Sequence, residues 1–284
     1  MFNFLEAKMA KRSLFPDLTL ANWQASRDTI HIYSRLLGKV RQAKTPRQKH
    51  WWHISLQLTA TGLTTTPIPA GAKTFELFLD LMAHQIVMSS SHGDWWEMDL
   101  NGQSPAEFCE ETLSALYAFE MPVKIDETPF AGDKALTYDE AAIETYWQAV
   151  SQVDVLLKAF KGELRGESSP VQLWPHHFDL ALNWFSGRKV PPYEPENEEY
   201  ADEQMGFGFS TGDEGIPNPY FYITAYPWPE ALLETTLPAG AVWHTAGWKG
   251  ALLMYQQLQM VSDPKELLHN FWHTAQSAGA KLMS

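Results

Sequence analysis

WQASRDTIHIYSRLLGKVRQAKTPRQKHWWHISLQL, residues 23–58, decides the fold because it recurs. Displaced by 124 positions and without a gap, it aligns with WQAVSQVDVLLKAFKGELRGESSPVQLWPHHFDLAL, residues 147–182. Trp23-Gln24-Ala25 matches Trp147-Gln148-Ala149. The register then continues through Gly38/Gly162, Arg41/Arg165, Pro46/Pro170, Gln48/Gln172, His53/His177, Leu56/Leu180 and Leu58/Leu182. These are ten identities in 36 positions, where average residue usage gives about two. In each copy the apolar residues first keep helical spacing (Ile30, Tyr33, Leu37, Val40; Tyr146, Ala149, Val153, Leu157, Phe160). They then alternate as on a strand, with Ile54, Leu56, Leu58 and Ala60 on one face in copy one and Phe178, Leu180, Leu182 and Trp184 in copy two.

Further strand-like runs follow in each half, FELFLDL (75–81) and HQIVMSS (84–90), then YFYITAY (220–226) and AVWHTAGW (241–248). Each half closes with the same helix-start signal, Ser104-Pro105-Ala106-Glu107 and Asp263-Pro264-Lys265-Glu266. An oxygen-bearing cap, a proline at the first helical position and a glutamate two residues later satisfy the orphan N–H groups of a helix start. The expected fold is α+β: one duplicated domain over residues 14–280, with helix-strands-helix halves (about 19–125 and 138–280) related by a pseudo-twofold around mainly antiparallel sheet. The second half carries about 35 extra residues, assigned to the acidic, Pro/Gly-rich stretch 189–219, which is expected to be a solvated loop or a lid over a cleft.

Composition narrows the function classes. A chain of 284 residues, 45% hydrophobic and 19% charged, buries a sizeable core. A net charge of -13 without a basic cluster argues against nucleic-acid binding, which draws its affinity from Lys and Arg neutralising phosphates. The single cysteine, Cys109, forms no internal disulfide and fits a reducing compartment. No continuous apolar run suits a signal peptide or a membrane helix, so the expected location is cytoplasmic, with no membrane partner.

The blocks WQASRDTIHIYSRLLGKVRQAKTPRQKHWWHISLQLTATGLTTTPIP, FELFLDLMAHQIV, PFAGDKALTYD, SPVQLWPHHFDLALNWFSGR and FYITAYPWPE resemble those of a bacterial family of about this length known only as a domain of unknown function. The resemblance spans roughly Leu14 to Ala278 and implies a single-domain protein; it carries no activity. The chain departs from the family pattern at Gln172, where a histidine is usual, and at Pro175-His176-His177, Asn183-Trp184 and Ala135-Leu136.

No catalytic or cofactor motif of high specificity is present, and the cofactor stays open. The sharpest constellation is the polar side of the two repeated strands: His53, Ser55, Gln57 and Thr59 in one, His177, Asp179, Ala181 and Asn183 in the other. A pseudo-twofold brings His53 and His177 to one cleft between the halves. Asp179, or Asp80 on a neighbouring strand, would orient a ring there for acid–base work. The competing readings are a solvated strand face and a 2-His-1-carboxylate metal set of the two histidines with Asp179 or Asp80, whose spacing is not diagnostic; no residue is nominated as a metal ligand. His31, Arg35 and Lys39 continue a stripe from Arg27 along the first helix, and Arg188 stands at a strand end; each is a candidate for holding a ligand anion or a plain solvated position. Twelve tryptophans and ten tyrosines either fill the core or line a stacking pocket for a sugar or aromatic ligand. The function expected is binding, with or without processing, of a small molecule in the polar cleft. The alternative is a scaffold that contacts proteins through exposed aromatics.

Overall fold

Ile30, Tyr33, Leu36, Leu37 and Val40 recur every three or four residues and are all buried on one face of helix α1 (Gln24–Lys44). The helix stops at Thr45, which is extended, because Pro46 disfavours helical backbone in the residue before it. Helix α2 (Pro105–Ala118) starts as its sequence requires, with Ser104 accepting from the Glu107 N–H. Asp139 does the same for α3 (Glu140–Glu163), and Asp263 for α4 (Pro264–Leu282). Each such cap is worth about 1 kcal/mol. The computed structural model describes residues 13–191 and 198–283, without the side chains of residues 198 and 199. Among these residues no helix is long and apolar enough to cross a membrane.

Between α1 and α2 lies a first antiparallel sheet of β1 (Gln57–Leu58), β2 (Gly62–Thr64), β3 (Ile68–Ala70), β4 (Lys73–Asp80), β5 (Gln85–Ser90) and β6 (Trp95–Asp99). Its order is β1-β2-β4-β5-β6, with β3 also paired to β4. Alternation holds here: Phe75, Leu77 and Leu79 of β4 are buried, and the residues between them are half-buried.

Between α3 and α4 lies a second antiparallel sheet. It contains β7 (Gln172–Trp174), β8 (Asp179–Lys189), β9 (Asp202–Ser210), β10 (Tyr220–Tyr226), β11 (Ala241–His244) and β12 (Gly250–Met254), in the order β11-β12-β10-β9-β8-β7. Reciprocal hydrogen bonds between Leu56 and Leu173, at 2.8 and 2.9 Å, join the two sheets at their edges. One apolar cluster runs through both halves, from Phe15 to Met283. The fold is α+β, and each half runs helix, antiparallel sheet, helix. The halves differ in strand order: in the second, β12 inserts between β10 and β11.

Two expectations need correction. The stretch 189–219 is not an extended loop. Residues 202–210 form β9, paired on one side with β8 and on the other with β10. Met205, Phe207 and Phe209 are buried and supply the apolar face that glycine-rich composition hid. Part of the acidic run, 192–197, lies outside the described residues. The first repeated strand also starts later than its alternation suggests. Residues Lys49–Ile54 form a 3-10 turn in which His50 and Trp51 take left-handed backbone, φ 51° and 59°.

Candidate functional site

Asp179, Ala181 and Asn183 alternate along β8 and point to one side of the second sheet. Across the ladder, Asn183 and Thr224 both face Gly206, while Ala181 and Tyr222 both face Gly208. Glycine is required at both places by close approach. A Cβ on Gly208 would lie 2.2 Å from Cζ of Tyr222, and one on Gly206 would lie 2.8 Å from the Thr224 hydroxyl. Gly206 leaves the sheet surface open, and the Tyr222 ring lies over Gly208, so together they make part of the floor of a cavity of about 380 Å³. Two turns wall it: the left-handed turn bringing His50, Trp51, Trp52 and Ile54, and the β7–β8 turn bringing Trp174, His176 and His177. Phe178 closes that second turn with φ 58°.

Asp179 is the deepest charged group here, 9% exposed. The Tyr222 hydroxyl donates to its Oδ2, while its Oδ1 is buried with no hydrogen-bond partner among the described residues. Burial holds its carboxyl above the usual range, against the Tyr222 hydrogen bond and the nearby His177. Burial and the Asp179 charge push the Tyr222 phenol far up, so it stays a donor. His176 and His177 stand side by side, ring centroids 4.4 Å apart. Partial burial and the neighbouring His177 and His31 keep His176 below its ordinary value. At the rim, His50 Nε2 lies 2.8 Å from Asp202 Oδ2. Although burial opposes it, hydrogen bonds from Lys189 and His50 hold the Asp202 carboxyl low. The amide of Asn183 donates to Gln204 Oε1 at 2.6 Å, fixing both on the floor.

His177 and Asp179 thus reach one cavity, together with Ala181 and Asn183 of the same strand face. His53 does not join them. It is 4% exposed inside the 3-10 turn, its Nδ1 accepting from the Gln48 N–H at 3.3 Å and its ring stacked on Trp51. The left-handed pair ahead of it breaks the two-residue period, so His50 takes the cavity position and His53 the supporting one. Asp80 belongs to the first sheet and caps a turn, accepting from Met82 and Ala83 N–H and from the Thr61 hydroxyl.

The α1 stripe does not line this cavity either. His31 Nε2 lies 2.9 Å from the Pro175 carbonyl, and its ring stacks on Phe178, bracing the β7–β8 turn from behind. Burial, with Arg27 and Arg35 adding to it, lowers its pKa to about 4. Arg35 is half-buried one turn further on, and Lys39 donates to Gln42. Arg188 is exposed and forms a two-pronged ion pair with Glu203 across the β8–β9 ladder. His50, Gln204 and Tyr222 were not among the site candidates read from sequence, whereas Trp52 and Trp174 belong to the tryptophans expected either in the core or in a stacking pocket. The one available signal was the Gly-x-Gly of β9, which marks a strand face left open.

A family model described as a family of unknown function, DUF5996, matches residues 15–284, and the chain belongs to that family. No curated protein and no solved structure matches the chain.

Proposed function

We propose that this DUF5996 protein binds a small hydroxyl-rich molecule with a flat apolar face, a sugar or cyclic polyol, in the cavity over Asp179. The observation that carries this reading is the unpartnered, buried Oδ1 of Asp179 at the bottom of that cavity. A buried acceptor without a partner costs about 1–3 kcal/mol, which a ligand hydroxyl recovers by donating to it. Trp52 and Trp174 contribute indole rings to the cavity lining, and Asn183, Gln204 and Thr224 contribute hydrogen-bonding groups. The volume of about 380 Å³ lies in the range of about 300–1,000 Å³ usual for small-molecule sites. Asp179 and His177 both line the cavity and supply acid–base groups for chemistry on such a ligand, so product formation belongs in the same assay. A cytoplasmic location is part of the proposal, supported by a single, buried cysteine.

The scaffold reading has less support. The exposed large aromatics Trp51, Trp95, Tyr117 and Tyr200 are carried by four different elements, in the pattern of singly scattered surface residues.

The test is tryptophan-fluorescence and thermal-shift titration with monosaccharides, disaccharides and cyclic polyols, on wild type, Asp179→Ala and Trp174→Ala. Saturable binding weakened about tenfold or more in both variants supports the reading, a loss of roughly 1.4 kcal/mol. Binding equal in all three, or absent across the panel, refutes it.

A further inference from the structure

A second cluster lies outside this cavity, on the seam between α3 and α4. His269 and His273 are one turn apart on α4, so their rings share a face, with centroids 4.1 Å apart. Glu163, the last residue of α3, reaches both: its Oε2 is 2.7 Å from His273 Nε2 and 3.3 Å from His269 Nε2. All three candidate ligand atoms lie within 4.8 Å of one another.

We propose that Glu163, His269 and His273 bind a borderline divalent metal ion of the zinc class. The donor set is two imidazoles and one carboxylate, the chemistry that such ions prefer over the all-oxygen shells of calcium and magnesium. Bonds of about 2.0–2.1 Å in a tetrahedron place ligand atoms about 3.3 Å apart. The cluster already approaches that spacing. Phe160 packs edge-on against His273, at 5.1 Å and 90°, and fixes the ring before any ion arrives. Side chains between 29% and 49% exposed leave room for water to complete the shell. An ion held there ties the end of α3 to the C-terminal helix α4, and so strengthens a helix contact rather than serving the cavity. With each imidazole proton on Nδ1, the Nε2 lone pairs point at the ion.

The test is calorimetric titration of the chelator-stripped, tag-free full chain with Zn²⁺ alone. One equivalent per chain is expected. His269→Ala with His273→Ala weakens it on the order of 100-fold or more, at or beyond the roughly 10–100-fold effect of losing an outer partner. Glu163→Gln, at an exposed helix end, weakens it by a smaller factor and guards against a folding artefact in the double variant. His176→Ala with His177→Ala leaves it unchanged. No stoichiometric uptake, uptake that survives the α4 double variant, or uptake lost with the cavity pair instead each overturns the site. Failure here leaves the cavity reading standing, because the two sites share no residue.

Discussion

Gly208→Ala tests how the cavity floor is made. Gly208 has ordinary strand backbone, so alanine fits its conformation and, with less entropy to lose on folding, gains about 0.5–1 kcal/mol. Against this, the new methyl lies 2.2 Å from Cζ and 2.4 Å from the hydroxyl of Tyr222. Displacing a packed ring costs about 1–3 kcal/mol, and pulling its hydroxyl from Asp179 strands a buried carboxyl for about 1–3 more. The clash wins, with a net loss of about 3 kcal/mol, equivalent to a fall of roughly 5 °C in melting temperature for a chain of 284 residues. Differential scanning calorimetry on wild type and variant reads it directly. The same substitution in a Tyr222→Ala background removes the colliding ring and costs nothing, so the difference between backgrounds isolates the contact. A melting temperature unchanged or raised by Gly208→Ala alone refutes the reasoning.

Three other outcomes are expected. His31 is held near pKa 4 in the fold against 6.5 when free; the unfolded chain therefore binds the proton first, and stability is full above about pH 6.5 and lost as pH falls towards 4. The loss reaches up to about 3 kcal/mol. Urea unfolding at pH 7 and 4.5 shows a smaller drop for His31→Phe than for wild type, and equal drops refute the assignment. Asp179 has the opposite linkage: its raised folded pKa makes stability fall as pH climbs above 3.8, its ordinary value. Asp179→Asn is thus more stable relative to wild type at pH 8 than at pH 4, and a pH-independent difference counts against the burial argument. Finally, His53→Ala lowers the melting temperature and spares cavity affinity, whereas His50→Ala lowers affinity and also costs stability through its lost Asp202 contact; affinity lost in His53→Ala but kept in His50→Ala would restore the strand reading of residues 50–58.

The helix starts at Ser104 and Asp263 were legible because capping is local chemistry, complete within four residues. The faces of β4 and of the first part of β8, Asp179 to Phe185, were legible because neither run holds a left-handed residue that resets its two-residue period; Gly187, with φ 89°, comes after it. Asp179 was found for that reason, whereas His177 precedes left-handed Phe178 and reaches the cavity from the β7–β8 turn. His50 was missed because left-handed backbone at a histidine and a tryptophan has no marker of the kind glycine gives. Alternation read straight through it pointed to His53 instead. β9 was missed because Gly206 and Gly208 exist for the sake of Tyr222 and Thr224, two strands of sequence that no local window joins. Gln204 and Tyr222 were out of reach for the same reason: their roles depend on strand register, which forms only when the sheet assembles.

The walls of the cavity come from residues 50–54 and its far floor from residues 222–224, with the Leu56–Leu173 bridge as the stitch between the sheets. No contiguous fragment of the chain owns the site. Neither half alone, nor a nascent chain before residues 222–224 have joined the sheet, assembles this lining, so the proposed ligand would engage only the completed fold. Occupancy should then slow unfolding of the whole molecule, with both halves holding or failing together.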